Sequence, residues 1–290
     1  MELSAGIAVF AIGIAVAVVM AAISMKLQPG VIPLDPDVEK GRLIRFLNRF
    51  PRLAHFVRRR LDRRTAGGLL LTIGFVVVLA LAIFVGAVFD MVDEGAGFAR
   101  FDMAVAEFGA SHSDSFWWDV QDLFTRLGGG LIISLVATAI GVWGWRHFRN
   151  HHIALFMISI VIGQALLNSG LKAIVSRARP DVLQLVPFSG SSFPSGHSAA
   201  AAATYMAAAF VVAIGLERKQ RIIAIAIGSF IAAAVAATRA FLGVHWLTDV
   251  LAGLAVGFGW FVVCAVAFGG RIMFFGEPKY ELDARMERAG

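Results

Sequence analysis

His245 and Asp249 stand four residues apart, a spacing that puts both side chains on one face of a helix. A carboxylate that holds one imidazole nitrogen fixes the tautomer and leaves the other nitrogen as a nucleophile. Three cations accompany the pair. Lys172 and Arg179 flank six residues, and Arg239 lies just ahead of His245. If the two segments converge, the three cations meet in one pocket that suits a dianionic phosphate, each arginine forking onto two oxygens. Between them stands Pro194-Ser195-Gly196-His197, directly before an alanine-rich run. A proline, a small hydroxyl residue and a glycine at a helix start leave backbone N–H groups for an anion. Ser195 could either cap that helix or donate to phosphate, and His197 would project from its first turn.

The elements that must position these residues are apolar. The chain of 290 residues is 58% hydrophobic and 16% charged, with a mean hydropathy of +0.76, outside the range of soluble domains. A hydrocarbon core about 30 Å thick needs about 20 apolar residues per spanning helix. Seven segments meet or approach this, at approximately 5–25, 68–92, 129–145, 153–172, 198–216, 222–238 and 249–269. The expected fold is therefore an all-α, polytopic membrane helical bundle. Small residues around 199–209, and the Gly253/Gly257 pair, are expected to pack helices closely within the chain. The one cysteine, Cys264, excludes an intrachain disulfide and a cysteine-based metal site.

The first apolar segment opens Met1-Glu2-Leu3-Ser4 without a basic stretch and is longer than a usual signal-peptide core, so it reads as a retained anchor. A basic arm follows, with ten Lys and Arg from Lys40 to Arg64 interleaved with apolar residues at helical spacing. It reads either as an amphipathic helix on an anionic membrane surface or as a charge run that sets topology. The arm, Arg146 to Arg149, Glu217 to Arg221 and the tail all fall on one side of the bundle, and the positive-inside rule makes that side cytoplasmic. The net charge of +6 thus serves topology, and no nucleic-acid partner is expected. The site residues then face outward, and a short chain without glycosylation signals fits a bacterial inner membrane with its catalytic loops in the periplasm. A long outward loop is expected at 93–128, acidic and carrying Phe116, Trp117 and Trp118 as an interfacial belt. Lys172, Arg177, Arg179 and Arg239 lie on the disfavoured side, near span ends, where charge is costly unless it has a purpose. Asp181 matches no site position, and His151 and His152 fall on the inward side as ordinary loop residues.

Together these residues resemble the type 2 phosphatidic acid phosphatase superfamily, which also contains vanadium haloperoxidases. Its three motifs are matched by Lys172 with six residues and then Arg179-Pro180, by Pro194-Ser195-Gly196-His197, and by Thr238-Arg239, five residues, His245, three residues and Asp249. Thr238 departs from the usual serine but keeps the hydroxyl. The resemblance implies a six-helix phosphatase core at 67–270, leaving an amino-terminal transmembrane helix at 1–25, a basic arm at 26–66 and a cytoplasmic tail at 271–290. It implies that His245 attacks phosphorus and becomes a phosphohistidine, that Asp249 orients it, and that His197 protonates the leaving oxygen. Lys172, Arg179, Arg239, Ser195 and the Gly196 amide would hold the phosphoryl oxygens. No metal or other cofactor is implied.

The expected function is therefore a lipid phosphate or pyrophosphate phosphatase. Two other readings use the same residues: a lipid-linked phosphotransferase, told apart by its need for an acceptor, and a non-catalytic phospholipid transporter or binder. A binder has no use for the His245–Asp249 pair. Neither the natural lipid nor the oligomeric state can be read from the sequence.

Overall fold

A computed structural model describes residues 66–111, 115–181 and 190–272 of the chain. The expected anchor at 5–25, the basic arm and the tail beyond 272 lie outside the described residues. Within them the chain is helical and contains no strand. Long helices α1 (Ala66–Asp93), α4 (Gly130–Phe148), α5 (His152–Ile174), α6 (Gly196–Val212), α7 (Arg218–Phe241) and α8 (Leu247–Ile272) form a six-helix bundle. They coincide with the six apolar segments expected from 68 onward. Four helices, α4, α5, α7 and α8, are long and apolar enough to cross a membrane.

The helices close because an apolar residue returns about every turn on the inward face. In α5 that face is Ile153, Phe156, Met157, Ile160, Gln164, Asn168 and Leu171. Its opposite face exposes Leu155, Ile158, Ile162 and Leu166, an arrangement that is stable only against lipid. The alanine-rich α6 is the central post, packed against α4, α5, α7 and α8. Its alanines at 199, 201, 202, 203, 207 and 209 are all buried. Without a hydrophobic drive between helices inside a bilayer, contact depends on close backbone approach. Gly253 and Gly257 provide it on α8: a Cβ at either would come within 2.5 Å of the Ser195 carbonyl oxygen or 2.2 Å of the Ala199 carbonyl oxygen. The expected glycine pair is thus an intrachain packing stripe, and it seats the start of α8 on the start of α6.

The stretch at 93–128 differs from the expected loop. It folds as a 3-10 turn (Gly97–Phe101) and two helices, α2 (Asp102–Ser111) and α3 (Ser115–Leu127). Helix α3 is amphipathic, burying Gln121 and Thr125 while exposing Phe116, Trp117 and Leu123. It packs on α7, and α2 also touches α7 and α8. The acidic composition concealed this, because the few buried positions are polar or small: Asp102, Ala106, Gly109, Gln121 and Thr125. The described residues of this stretch, 97–111 and 115–127, pack as a cap against α7 and α8.

Replacing Gly257 with valine drives a side chain into the α6 backbone. Overpacking of this kind costs about 1–3 kcal/mol or more, and the thermal midpoint of the detergent-solubilised protein should fall by several degrees. Gly86→Ala in α1 meets nothing within 4 Å and should leave the midpoint unchanged.

Candidate active site

The first group of candidate residues is set by the way α5 ends. Lys172 lies in its last turn, and the backbone becomes extended at Val175. The pyrrolidine of Pro180 keeps Arg179 out of helical conformation, so the chain runs straight through Arg177 and Arg179. It pairs there with the segment after residue 190: the Ser192 N–H donates to the Arg177 carbonyl at 2.9 Å, and the Arg177 N–H to Ser191 Oγ at 3.2 Å. The Ser191 carbonyl oxygen then accepts from Lys172 Nζ at 2.6 Å and from Arg179 Nη2 at 3.3 Å. One acceptor holds both cations side by side.

The second group starts α6. Ser195 is its N-cap, with Oγ accepting from the Ser198 hydroxyl at 2.9 Å and its backbone N–H at 3.5 Å. Of the two roles open to Ser195 in the sequence, the cap is the one formed here. The Ser195 N–H donates to the Asp249 carbonyl at 3.0 Å, which joins the second group to the third. Gly196 and His197 follow as the first helical residues, where backbone donors are unsatisfied and the helix dipole is positive.

The third group spans the α7–α8 turn. Thr238 Oγ1 donates back to the Val235 carbonyl at 2.7 Å, so its retained hydroxyl is committed to its own helix. Gly243 has φ +68°, a left-handed conformation that glycine adopts without strain. That turn brings the chain back so that the His245 N–H donates to the Arg239 carbonyl at 3.1 Å. Asp249 lies in the first turn of α8, and its Oδ2 accepts from the Trp246 N–H at 3.0 Å.

These turns bring the groups together. His245 Nδ1 faces Asp249 Oδ2 at 3.5 Å, while Arg179 Nη1 points at Nε2 from 3.3 Å. A guanidinium donates and never accepts, so Nε2 carries the lone pair and Nδ1 the proton. Arg179 Nη1 also donates to the Val244 carbonyl at 2.6 Å. Arg239 donates from Nη1 to Thr125 Oγ1 at 2.8 Å, and its Nε is buried without a partner among the described residues. His197 stands within electrostatic reach of Arg239, His245, Lys172 and Arg179. All the sequence-selected side chains thus gather at one end of the bundle. The arrangement can bind a phosphoryl group on three cations and present a neutral imidazole nitrogen to it.

Burial pushes the His245 imidazole down from 6.5 to about 4, with Arg179 and Arg239 adding to the effect and Asp249 opposing it. His245 is therefore neutral across the physiological range, the form in which an imidazole can act as a nucleophile.

The sequence reading missed four side chains around Asp249. Ser192 is buried, and its Oγ donates to Asp249 Oδ2. Arg177 Nη1 donates to Asp249 Oδ1 and to Thr248 Oγ1 at 2.8 Å. Asp102, on the cap, accepts from Arg177 Nη2 at 2.8 Å and from Thr248 N–H and Oγ1 at 2.9 and 2.7 Å. Arg177 was visible as one more cation on the disfavoured side. Asp102 carried no signal, because 146 residues separate it from Thr248.

Comparison with known proteins bears on the family and the fold. The family model of the PAP2 superfamily matches residues 153–273. Phosphatidylglycerophosphatase B of Bacillus subtilis is 36% identical over 141 residues, covering 48% of this chain and 69% of that protein. Lipid A 1-phosphatase of Rhizobium etli is 36% identical over 181 residues, covering 54% of this chain and 73% of the relative. The crystal structure of a transmembrane PAP2-type phosphatidylglycerolphosphate phosphatase from Bacillus subtilis superposes with a TM-score of 0.59 at 27% identity. It covers 64% of this chain and 92% of that one.

A depressed histidine pKa has a consequence for stability. Between pH 6.5 and about 4 the unfolded chain binds a proton at position 245 that the folded chain excludes, so folding weakens as pH falls through that window. The contribution is fully present above pH 6.5. The thermal midpoint of the wild type should drop more steeply from pH 6.5 to 4 than that of His245→Gln. Parallel slopes would show that His245 is not held neutral by the fold.

Proposed function

Since this chain belongs to the PAP2 superfamily and is one of its membrane lipid phosphatases, we propose that it hydrolyses a lipid phosphate or pyrophosphate through a phosphohistidine at His245. The observation that carries this reading is the contact of Arg179 Nη1 with His245 Nε2 at 3.3 Å. A phosphoryl oxygen held by that guanidinium lies beside the nucleophilic nitrogen.

In the proposed reaction, Lys172, Arg179 and Arg239 bind the phosphoryl oxygens, with the Gly196 amide and the Ser195 hydroxyl at the start of α6 completing the cradle. The unmet Arg239 Nε is a donor that such an oxygen satisfies. Nε2 of His245 attacks phosphorus in line with the leaving oxygen, and the P–O bond to the lipid breaks as the N–P bond forms. Asp249 keeps the Nδ1 proton in place and stabilises the cationic ring. The bound phosphoryl dianion offsets the cations around His197 and lets it hold a proton from solvent in the complex. His197 gives that proton to the leaving oxygen, then takes one from the water that cleaves the phosphohistidine and releases phosphate. Catalysis here is mostly positioning and charge stabilisation, because the transferring group spreads its charge over three oxygens. The fixed cations supply that charge, so the reaction is read as metal-independent.

The relatives, named for phosphatidylglycerophosphate and lipid A, support this substrate class. Phosphatidic acid and undecaprenyl pyrophosphate carry the same reacting group. Arg146, Arg149, Arg218, Lys219 and Arg221, at the helix ends opposite this site, support an orientation with the site on the periplasmic face of a bacterial inner membrane. The cap is read as the substrate entrance. Phe116 and Trp117 on its exposed face suit the membrane interface, where they would guide a lipid toward Arg239.

The purified protein, without added metal or acceptor, should release inorganic phosphate from at least one lipid in a panel of these four. His245→Ala should lower that rate by at least about 10³-fold, as loss of a nucleophile does. Release that persists in the variant, or needs an acceptor, overturns the hydrolytic reading. Trp117→Ala combined with Trp118→Ala should slow lipid turnover several-fold while sparing a soluble phosphate ester. An equal loss on both substrates removes the entrance role.

A further inference from the structure

Every site group described above is touched by the cap. Thr125 accepts from Arg239 at 2.8 Å. Gly128, just past α3, packs so tightly that a Cβ there would come within 3.2 Å of His197 Cβ. The tightest connection runs through Arg177. Its Nη1 reaches Asp249 and its Nη2 reaches Asp102, and its guanidinium carbon lies 5.4 Å from the centre of the Trp246 ring. Trp246 is itself held by donation from Nε1 to the Ala178 carbonyl at 2.9 Å. Arg177 therefore has no freedom to turn: carboxylates grip it from two sides and an aromatic face from a third.

Asp102 is equally constrained. It is 5% exposed, and both its oxygens are engaged by Thr248, the second residue of α8. It thus caps, from another part of the chain, the helix whose first turn holds Asp249. A side-chain oxygen satisfying a second-position N–H is the usual work of a local cap. Here a residue of the cap segment does it.

Stability alone does not account for such an arrangement. Burying an ion network generally returns little or no net stability over apolar packing. A rigid arginine between two carboxylates does something apolar residues cannot: it fixes where the second carboxylate stands. Asp249 in turn fixes His245, and a nucleophile displaced by about 1 Å can lose about 10² in rate.

We propose that Asp102 and Arg177 are positioning residues for the phosphoryl-transfer step, forming with Asp249 and His245 a continuous chain that ties the cap to the nucleophile. Arg177 orients Asp249 directly. Asp102 acts through Arg177 and through the first turn of α8, so the docking of the cap and the aim of His245 are one event. Neither residue touches the substrate.

The inference rests on the His245–Asp249 reading, and its test is a cycle of the single and double variants Asp102→Asn and Asp249→Asn in the full chain. Each is assayed for kcat and KM on a lipid phosphate and on a soluble ester. Asp102→Asn keeps the shape and one acceptor for Thr248 while removing the charge. It should lower kcat about tenfold on both substrates, leaving KM within about twofold and the thermal midpoint nearly unchanged. In the Asp249→Asn background the same change should cost nothing further, because the carboxylate it positions is gone. Multiplying losses in the double variant would overturn the proposal. So would a loss confined to the lipid substrate, or one that tracks a falling melting temperature. If Asp102→Asn does not fold, Arg177→Lys takes its place in the cycle, since one ammonium cannot bridge both carboxylates. Wild-type release abolished by His245→Ala keeps the phosphatase reading intact whichever way the cycle turns out.

Discussion

The carboxylate of Asp249 is where the structure concentrates its polar interactions. It is wholly buried, and it accepts from Arg177, Ser192, the Trp246 N–H and, at longer range, His245. An ionised carboxylate without partners in such a place would cost many kcal/mol. Each partner in turn constrains an element: Arg177 the extended run after α5, Ser192 the approach to α6, and Trp246 the turn into α8. The backbone of the same residue adds a fourth constraint, since its carbonyl takes the Ser195 N–H at the cap of α6. The meeting of three distant segments in one pocket is thus the satisfaction of a single buried anion.

The apolar bundle below makes that concentration possible. Gly253 and Gly257 allow α8 to lie directly on α6, and the backbone of Asp249 meets the cap of α6 because the two helix starts are so close. A larger residue on that stripe would separate the second and third groups before any charged contact was lost. Packing therefore sets the distances, and the charges then set the orientations. This division explains how permanent cations survive at the end of a lipid-facing bundle. Lys172 and Arg179 share the Ser191 carbonyl, Arg239 uses Thr125, and Arg177 lies between two acids.

What could be read in the sequence divides along the same line. Helices α1 and α4 to α8 were legible because about 20 apolar residues in a row have no other stable home. His245 and Asp249 were legible because helical spacing places them together. Lys172, Arg179, Ser195, Gly196, His197 and Arg239 were legible as cations and a helix start next to span ends. Arg177 stood out only as a charge on the wrong side. Ser192 and Thr248 are small hydroxyl residues of a kind that occurs everywhere in such loops. The cap was misread as a loop because its buried positions include the polar Asp102, Gln121 and Thr125 and, beside them, only small residues such as Ala106 and Gly109, whereas its exposed face carries Phe116, Trp117 and Leu123. That pattern is inverted from the one that marks a soluble helix. It is the correct one for a helix with a polar site beneath it and an apolar phase outside.

This inversion bears on how such an enzyme can admit a lipid. Phe116, Trp117 and Leu123 on the outward face are at home among acyl chains and headgroups. Val105 packs inward against Ala236, Ala240 and Val250, and the rings of Phe108 and Phe124 lie against Phe241 and Phe230. Polar contacts with the site add to that packing: Asp102 on Arg177 and Thr248, and Thr125 on Arg239. Contacts of this kind are directional and few. They can be exchanged for contacts with an entering phosphate far more readily than buried apolar area can be uncovered. On the proposed reading, a cap that meets Arg239 is therefore sensitive to the same anion that Arg239 would bind. The Thr125 contact is the one placed to feel it first, because Arg239 offers Nη1 to the cap and still has a buried donor to give.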